Sequence, residues 1–134
     1  SSLSFSTGGF ISRVTIDKLG NTGISTTTPT AKLDVNGTFK LGSVGTVNTA
    51  LLKNIISIDV ASVPANGELD VIVAFANAAV TGAVSVSPAV DLPTGIIIGS
   101  ARVSSAGNIK IRYRNLTGAA IDPASISYIV SIVQ

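Results

Sequence analysis

The chain has 134 residues, enough for one ordinary domain or a small domain with a short appendage. Charged residues are only 12% of it and apolar residues 46%, so a chain with so much surface is expected to hide part of it, most simply against copies of itself. It lacks Cys, His, Met and Trp, which excludes disulfides and thiolate or imidazole metal sites, and a net charge of +2 with no basic tract excludes the electrostatic footprint of a nucleic-acid binder.

The missing methionine reads as a removed initiator or a start inside a longer product, and residues 1–9 have neither the basic start nor the apolar centre of a signal peptide. Val, Ile and Thr are abundant, Gly and Pro punctuate at short intervals, and good helix formers are scarce, so an all-β fold is expected. Residues 10–17 alternate, with Phe10, Val14 and Ile16 on one face and Ile11, Arg13, Thr15 and Asp17 on the other. Residues 22–30, rich in threonine, read as an extended polar connector. Residues 32–41 alternate again: Leu33, Val35, Phe39 and Leu41 share one face, and Lys32, Asp34, Asn36, Thr38 and Lys40 the other.

Asn36-Gly37 is a type I′ hairpin signal, but such a turn would set Leu33 beside Lys40 and Asp34 beside Phe39. A strand running on through a glycine kink or bulge keeps the apolar residues together. A layer of this size cannot bury its apolar face alone. Residues 43–53 read as a linker, with one or two helical turns over 47–53.

Six strands are expected beyond it, over residues 55–60, 69–76, 83–87, 96–104, 108–115 and 126–133. Gly, Pro and Asn separate them at spacings that suggest a β-sandwich or jelly-roll. Residues 71–90 carry no charge and are long enough to span a bilayer as a helix, but Asn77, Gly82 and Pro88 and the β-branched pattern favour a buried strand pair. The strands over 69–76 and 126–133 are apolar on both faces, which asks for cover on both sides, a neighbouring subunit being the natural one. Phenylalanines are expected to fill cores.

Catalysis is poorly provisioned. Glu68 and Asp70 share a strand face, as a pair of glycosidase carboxylates would require, but no sugar-stacking aromatics accompany them. They read as residues that solubilise a strand end. No catalytic residue, metal site or cofactor is assigned. Asn36 and Asn115 fit the three-residue glycosylation pattern, which is too common to carry weight. The best surface feature is residues 108–115, where Ile109, Ile111 and Tyr113 face one way and Lys110, Arg112 and Arg114 the other. Such cations either grip an acidic receptor glycan or lipopolysaccharide phosphate, or pair with Asp59, Glu68 or Asp70 on neighbouring strands.

Residues 20–42, GNTGISTTTPTAKLDVNGTFKLG, resemble the "GNVGIGTTTPTAKLDVNG" segment of bacteriophage tail fibres and spikes and of related bacterial surface proteins, departing from it at Thr22 and Ser25. Residues 99–125, GSARVSSAGNIKIRYRNLTGAAIDPAS, are similar to the "ARVSAANTVTVRxxNxTGAAIDPAS" stretch that precedes the last strand of many phage fibre proteins. The resemblance implies a homotrimer with a short intertwined N-terminal β stalk, residues 1–42, and a C-terminal knob, residues 54–134. Phe10, Val14, Ile16, Leu33, Val35, Phe39 and Leu41 would then form the stalk core. It further implies a virion-surface protein attached to another virion protein at its N-terminal end. The knob would meet a bacterial surface glycan or protein receptor, with Lys110, Arg112 and Arg114 as the candidate contacts, without nucleic acid and without membrane insertion. A capsid decoration protein and a bacterial surface adhesin domain are the alternatives.

Overall fold

The computed structural model describes every residue except Phe10, Leu41 and Thr46. It is all-β, with no helix among the described residues, and divides into two compact units, Ser1–Thr49 and Ala50–Gln134.

In the N-terminal unit β1 (Leu3–Thr7), β2 (Ile11–Ile16), β3 (Thr22–Ile24) and β4 (Leu33–Val35) lie side by side in that order. The first three pair antiparallel, and β4 joins β3 in parallel. The β2–β3 turn is built on Asp17. Its carboxylate accepts hydrogen bonds from the backbone N–H of Asn21 (2.9 Å) and Leu19 (2.8 Å) and from the Asn21 side-chain amide (3.0 Å). The Asn21 and Leu19 hydrogen bonds hold the Asp17 carboxyl below the usual carboxylate range.

Register gives this sheet two unlike faces. One carries Leu3, Ile16, Thr22 and Leu33 in one row and Phe5, Val14, Ile24 and Val35 in the next. The other carries Ser4, Thr15, Gly23 and Asp34, and it is the polar Thr15 that is buried. On this side the chain folds back over Gly23, where a Cβ would stand 2.5 Å from the Thr26 carbonyl oxygen. Ser25, next along, holds φ at 56°, a left-handed conformation that glycine adopts with less strain.

Several expectations change in this unit. The threonine-rich connector is extended at its start, where Thr22–Ile24 is a strand paired on both sides, but it turns at Ser25 (φ 56°), and Thr30 donates from its N–H and hydroxyl to Asp34. The strand expected over 32–41 ends at Val35. The chain bends at Asn36-Gly37, with φ of 146° at Gly37, and Phe39 makes an isolated bridge to Asn48. Of the expected stalk-core residues, Val14, Ile16, Leu33 and Val35 do share a face, but among the described residues none of the four is buried: Leu33 stays 64% exposed, and Val14, Ile16 and Val35 are half-buried. Phe5 (58% exposed) and Phe39 (37%) are likewise not core residues of this chain. Phe10 and Leu41 lie outside the described residues.

The C-terminal unit packs two three-stranded sheets like a sandwich. One has the order β5 (Leu51–Ile58), β10 (Ile126–Val133), β7 (Ala83–Pro88); the other β6 (Glu68–Ala74), β9 (Asn108–Asn115), β8 (Ile96–Ser105). All six expected strands form, two short of a jelly roll. Residues 71–90 become the end of β6, a turn and β7 rather than a helix. β5 starts inside the expected linker. Pairing of Leu51 with Val133 and Leu52 with Ile132 claims the backbone for which helical turns were expected.

The two central strands build the core. Tyr128, Val130 and Ile132 of β10 meet Ile109, Ile111 and Tyr113 of β9, all fully buried. Burying each such aliphatic side chain is worth about 1.5–3 kcal/mol. Tyr113 and Tyr128 meet edge to face, ring centroids 6.3 Å apart. Among the described residues neither hydroxyl has a hydrogen-bond partner. Asn115, by contrast, is buried with its polar atoms engaged. Its amide donates to the Val63 carbonyl (3.1 Å) and the Ala119 carbonyl (2.8 Å), and its oxygen accepts from Thr117. That buried amide offers a glycan no attachment point.

Burial pushes the Tyr113 hydroxyl well above its ordinary value of 10.0. A group raised on folding contributes stability below its unfolded pKa and loses it as pH rises beyond. The wild-type urea midpoint is therefore expected to fall from pH 8 to pH 11, and to fall less in Tyr113→Phe. At neutral pH that variant should be neutral or more stable, since it removes an unpartnered buried hydroxyl, whereas Tyr128→Ala should cost about 3–5 kcal/mol.

Candidate functional site

The outer faces of the two C-terminal sheets differ in chemistry. On the β5–β10–β7 sheet, Leu51, Ile55, Ile129, Val133 and Ala83 alternate with Ser57, Ser85, Ser87, Ser127 and Ser131, and Lys53 is the one charge. On the β6–β9–β8 sheet, β9 brings Lys110, Arg112 and Arg114 outward between two neighbours. Directly opposite on β6 stand Ile72, Asp70 and Glu68; on β8 stand Arg102, Ser100 and Ile97. Four cations against two carboxylates leave this face an excess of two positive charges, equal to the net charge of the whole chain, +2.

Asp70 is the hub. Arg112 donates to it through Nε (2.7 Å) and Nη2 (2.9 Å), a bidentate fork, and Lys110 donates from Nζ at 3.0 Å. Glu68 lies 3.5 Å from Arg112 and 3.6 Å from Arg114. The expected pairing with Glu68 and Asp70 therefore forms, while Asp59 takes no part in it. The Arg112 and Lys110 hydrogen bonds hold the Asp70 carboxyl far below the usual carboxylate range, and Arg112 is raised by Asp70 in turn. A carboxyl held ionised in this way has no proton to give as a general acid at neutral pH. Among the described residues no cluster of acidic side chains is placed to hold a metal ion, and no helix is long and apolar enough to cross a membrane.

Arg102 is the member of this face that the sequence pattern did not disclose. The β8–β9 turn is Ala106-Gly107, with Ser105 opposite Asn108. A regular ladder counted back from it would set Arg102 beside inward-facing Ile111. A bulge between Val103 and Ser105 shifts the count, pairing Val103 with Ile109 and Arg102 with Lys110. The usable signal was alternation: Val103 and Ile109 must both face the core, and only a bulge allows it.

No protein-family model matches the chain, and neither a curated protein nor a solved structure matches it.

Because the Asp70 pKa is depressed, its contribution to stability is present above the unfolded value near 3.8 and is lost as pH falls below it. Urea unfolding at pH 6 and pH 3 is expected to show a smaller loss on acidification for Asp70→Asn than for the wild type. Equal losses would mean that the fork contributes nothing in solution.

Proposed function

We propose that the chain is a structural module of a virion, a spike or tail-fibre protein whose homotrimeric knob attaches to the bacterial host surface. The observation that carries this reading is the order of the two resembled stretches. Residues 20–42 run through β3 and β4 of the N-terminal unit, and residues 99–125 run through most of β8 and all of β9, which carries the outward cations. In this reading residues 1–42 are the stalk, joined to another virion protein, and residues 54–134 are the knob, exposed at the virion surface. No catalysis or cofactor is assigned to it.

The trimer draws its support from the N-terminal sheet. Seven of the eight positions on its uncovered face are apolar, and copies wrapped about a common axis would bury them. Three knobs then present the cation face three times, so that weak contacts add up to useful avidity. The engagement of Asp70 and Glu68 with the cations favours, as a second reading, a capsid-associated decoration protein that binds no receptor. Genomic neighbours distinguish both from a bacterial adhesin.

Native mass spectrometry is expected to find three chains of 13.5 kDa together at micromolar concentration. Leu33→Lys, harmless to the exposed position in one chain, should lower the trimer fraction, and a monomeric wild type would sink the trimer. Labelled protein should bind host cells saturably and be displaced by unlabelled protein. A stable trimer that binds no susceptible cell would move the reading to the decoration role.

A further inference from the structure

The ion pairs use the cation face unevenly. Glu68 lies between Arg112 and Arg114, and Asp70 between Arg112 and Lys110, whereas among the described residues Arg102 has no carboxylate within ion-pair distance. Among the described residues the one hydrogen bond of its side chain runs from Nη1 to the Val103 carbonyl oxygen at 3.3 Å. Register places Arg102 directly opposite Lys110, a cross-strand position where like charges repel. Beyond them β8 is the sheet edge, and its other outward residues, Ile97 and Ser100, are uncharged. The excess positive charge thus collects at the β8 side of the face, where one oxyanion would bridge both cations and relieve their repulsion.

The aromatic residues narrow the ligand class. Phe75, Tyr113 and Tyr128, the aromatics of the C-terminal unit, are all buried. Its surface therefore has no ring on which a neutral sugar or a nucleic-acid base could stack. Charge is the handle that remains. We propose that Arg102 and Lys110, with Arg112 beside them, bind the oxyanion groups of an acidic polysaccharide. This deepens the attachment reading and rests on it for the choice of a polysaccharide over other polyanions.

The test is calorimetric titration of the full chain, at low salt, with dextran sulfate, polygalacturonate, neutral dextran and oligothymidylate. Dextran sulfate or polygalacturonate should bind, the stronger of the two telling sulfate ester from carboxylate, and neutral dextran should not. Arg102→Gln with Lys110→Gln should weaken the binding about tenfold or more, and Lys53→Gln, on the opposite sheet, should leave it unchanged. Arg102 has no carboxylate partner to lose, so Arg102→Glu provides a folded single variant with a larger expected loss. Equal weakening by Lys53→Gln, full binding by the double variant, or tighter binding of oligothymidylate would overturn the proposal. The same variants on host cells separate the two levels. Undiminished cell binding by the double variant sinks this site and leaves attachment standing. A wild type that binds an acidic polysaccharide through Arg102 and Lys110 but no cell keeps the site and sinks the attachment reading.

Discussion

The register of β9 between β6 and β8 is the constraint on which the C-terminal unit depends. One alternation sends Ile109, Ile111 and Tyr113 into the core and Lys110, Arg112 and Arg114 outward, so a slip of one residue would bury three cations and expose the apolar set. Two devices hold the register. On one side the bulge between Val103 and Ser105 aligns Val103 with Ile109. On the other, the hairpin tip is tied to the end of β6: Phe75 donates to the Gly107 carbonyl (2.8 Å) and Gly107 donates to the Ala78 carbonyl (2.9 Å). The Asp70 fork then joins β6 to the same outward residues. Core packing and surface charge are two readings of one ladder.

That ladder also makes the sandwich electrically one-sided. One outer sheet face gathers four cations and two carboxylates, and the other has Lys53 alone amid serines and aliphatic residues. Six of the ten charged residues of the C-terminal unit stand on this one face. The apolar positions 69–76 and 126–133, expected to be covered on both sides, leave Ile72, Ile129 and Val133 exposed in the single chain. The N-terminal sheet has its own uncovered face, through Leu3, Phe5 and Leu33. Such surfaces ask for partners, and copies of the same chain fit the trimer reading.

The strands of the C-terminal unit were legible because alternation and Gly/Pro punctuation agreed over runs of eight residues, as in Asn108–Asn115 and Ile126–Val133. Even the ion pairs of β9 followed from counting faces. Legibility failed where elements are short or set by long-range pairing. β3 and β4 are three residues each, and their parallel pairing leaves no period to read. Leu51–Lys53 carries a local pattern that suits a helical turn and is overruled by its ladder with β10. Arg102 was missed because a bulge reassigns its neighbours, and bulges leave only an indirect trace in sequence.

Everything functional in this picture turns on the charged sheet face, and not the uncharged one, meeting the ligand. The decisive measurement follows backbone amide and arginine Nε–Hε resonances of the ¹⁵N-labelled protein during titration with an acidic polysaccharide. Shifts are expected to concentrate at Ser100, Arg102, Lys110 and Arg112, with Leu51–Ile58 and Ala83–Pro88 unmoved. Shifts centred on Ile55, Ile129 and Ser87 would refute the assignment and make the uncharged sheet, rather than β8 and β9, the binding surface.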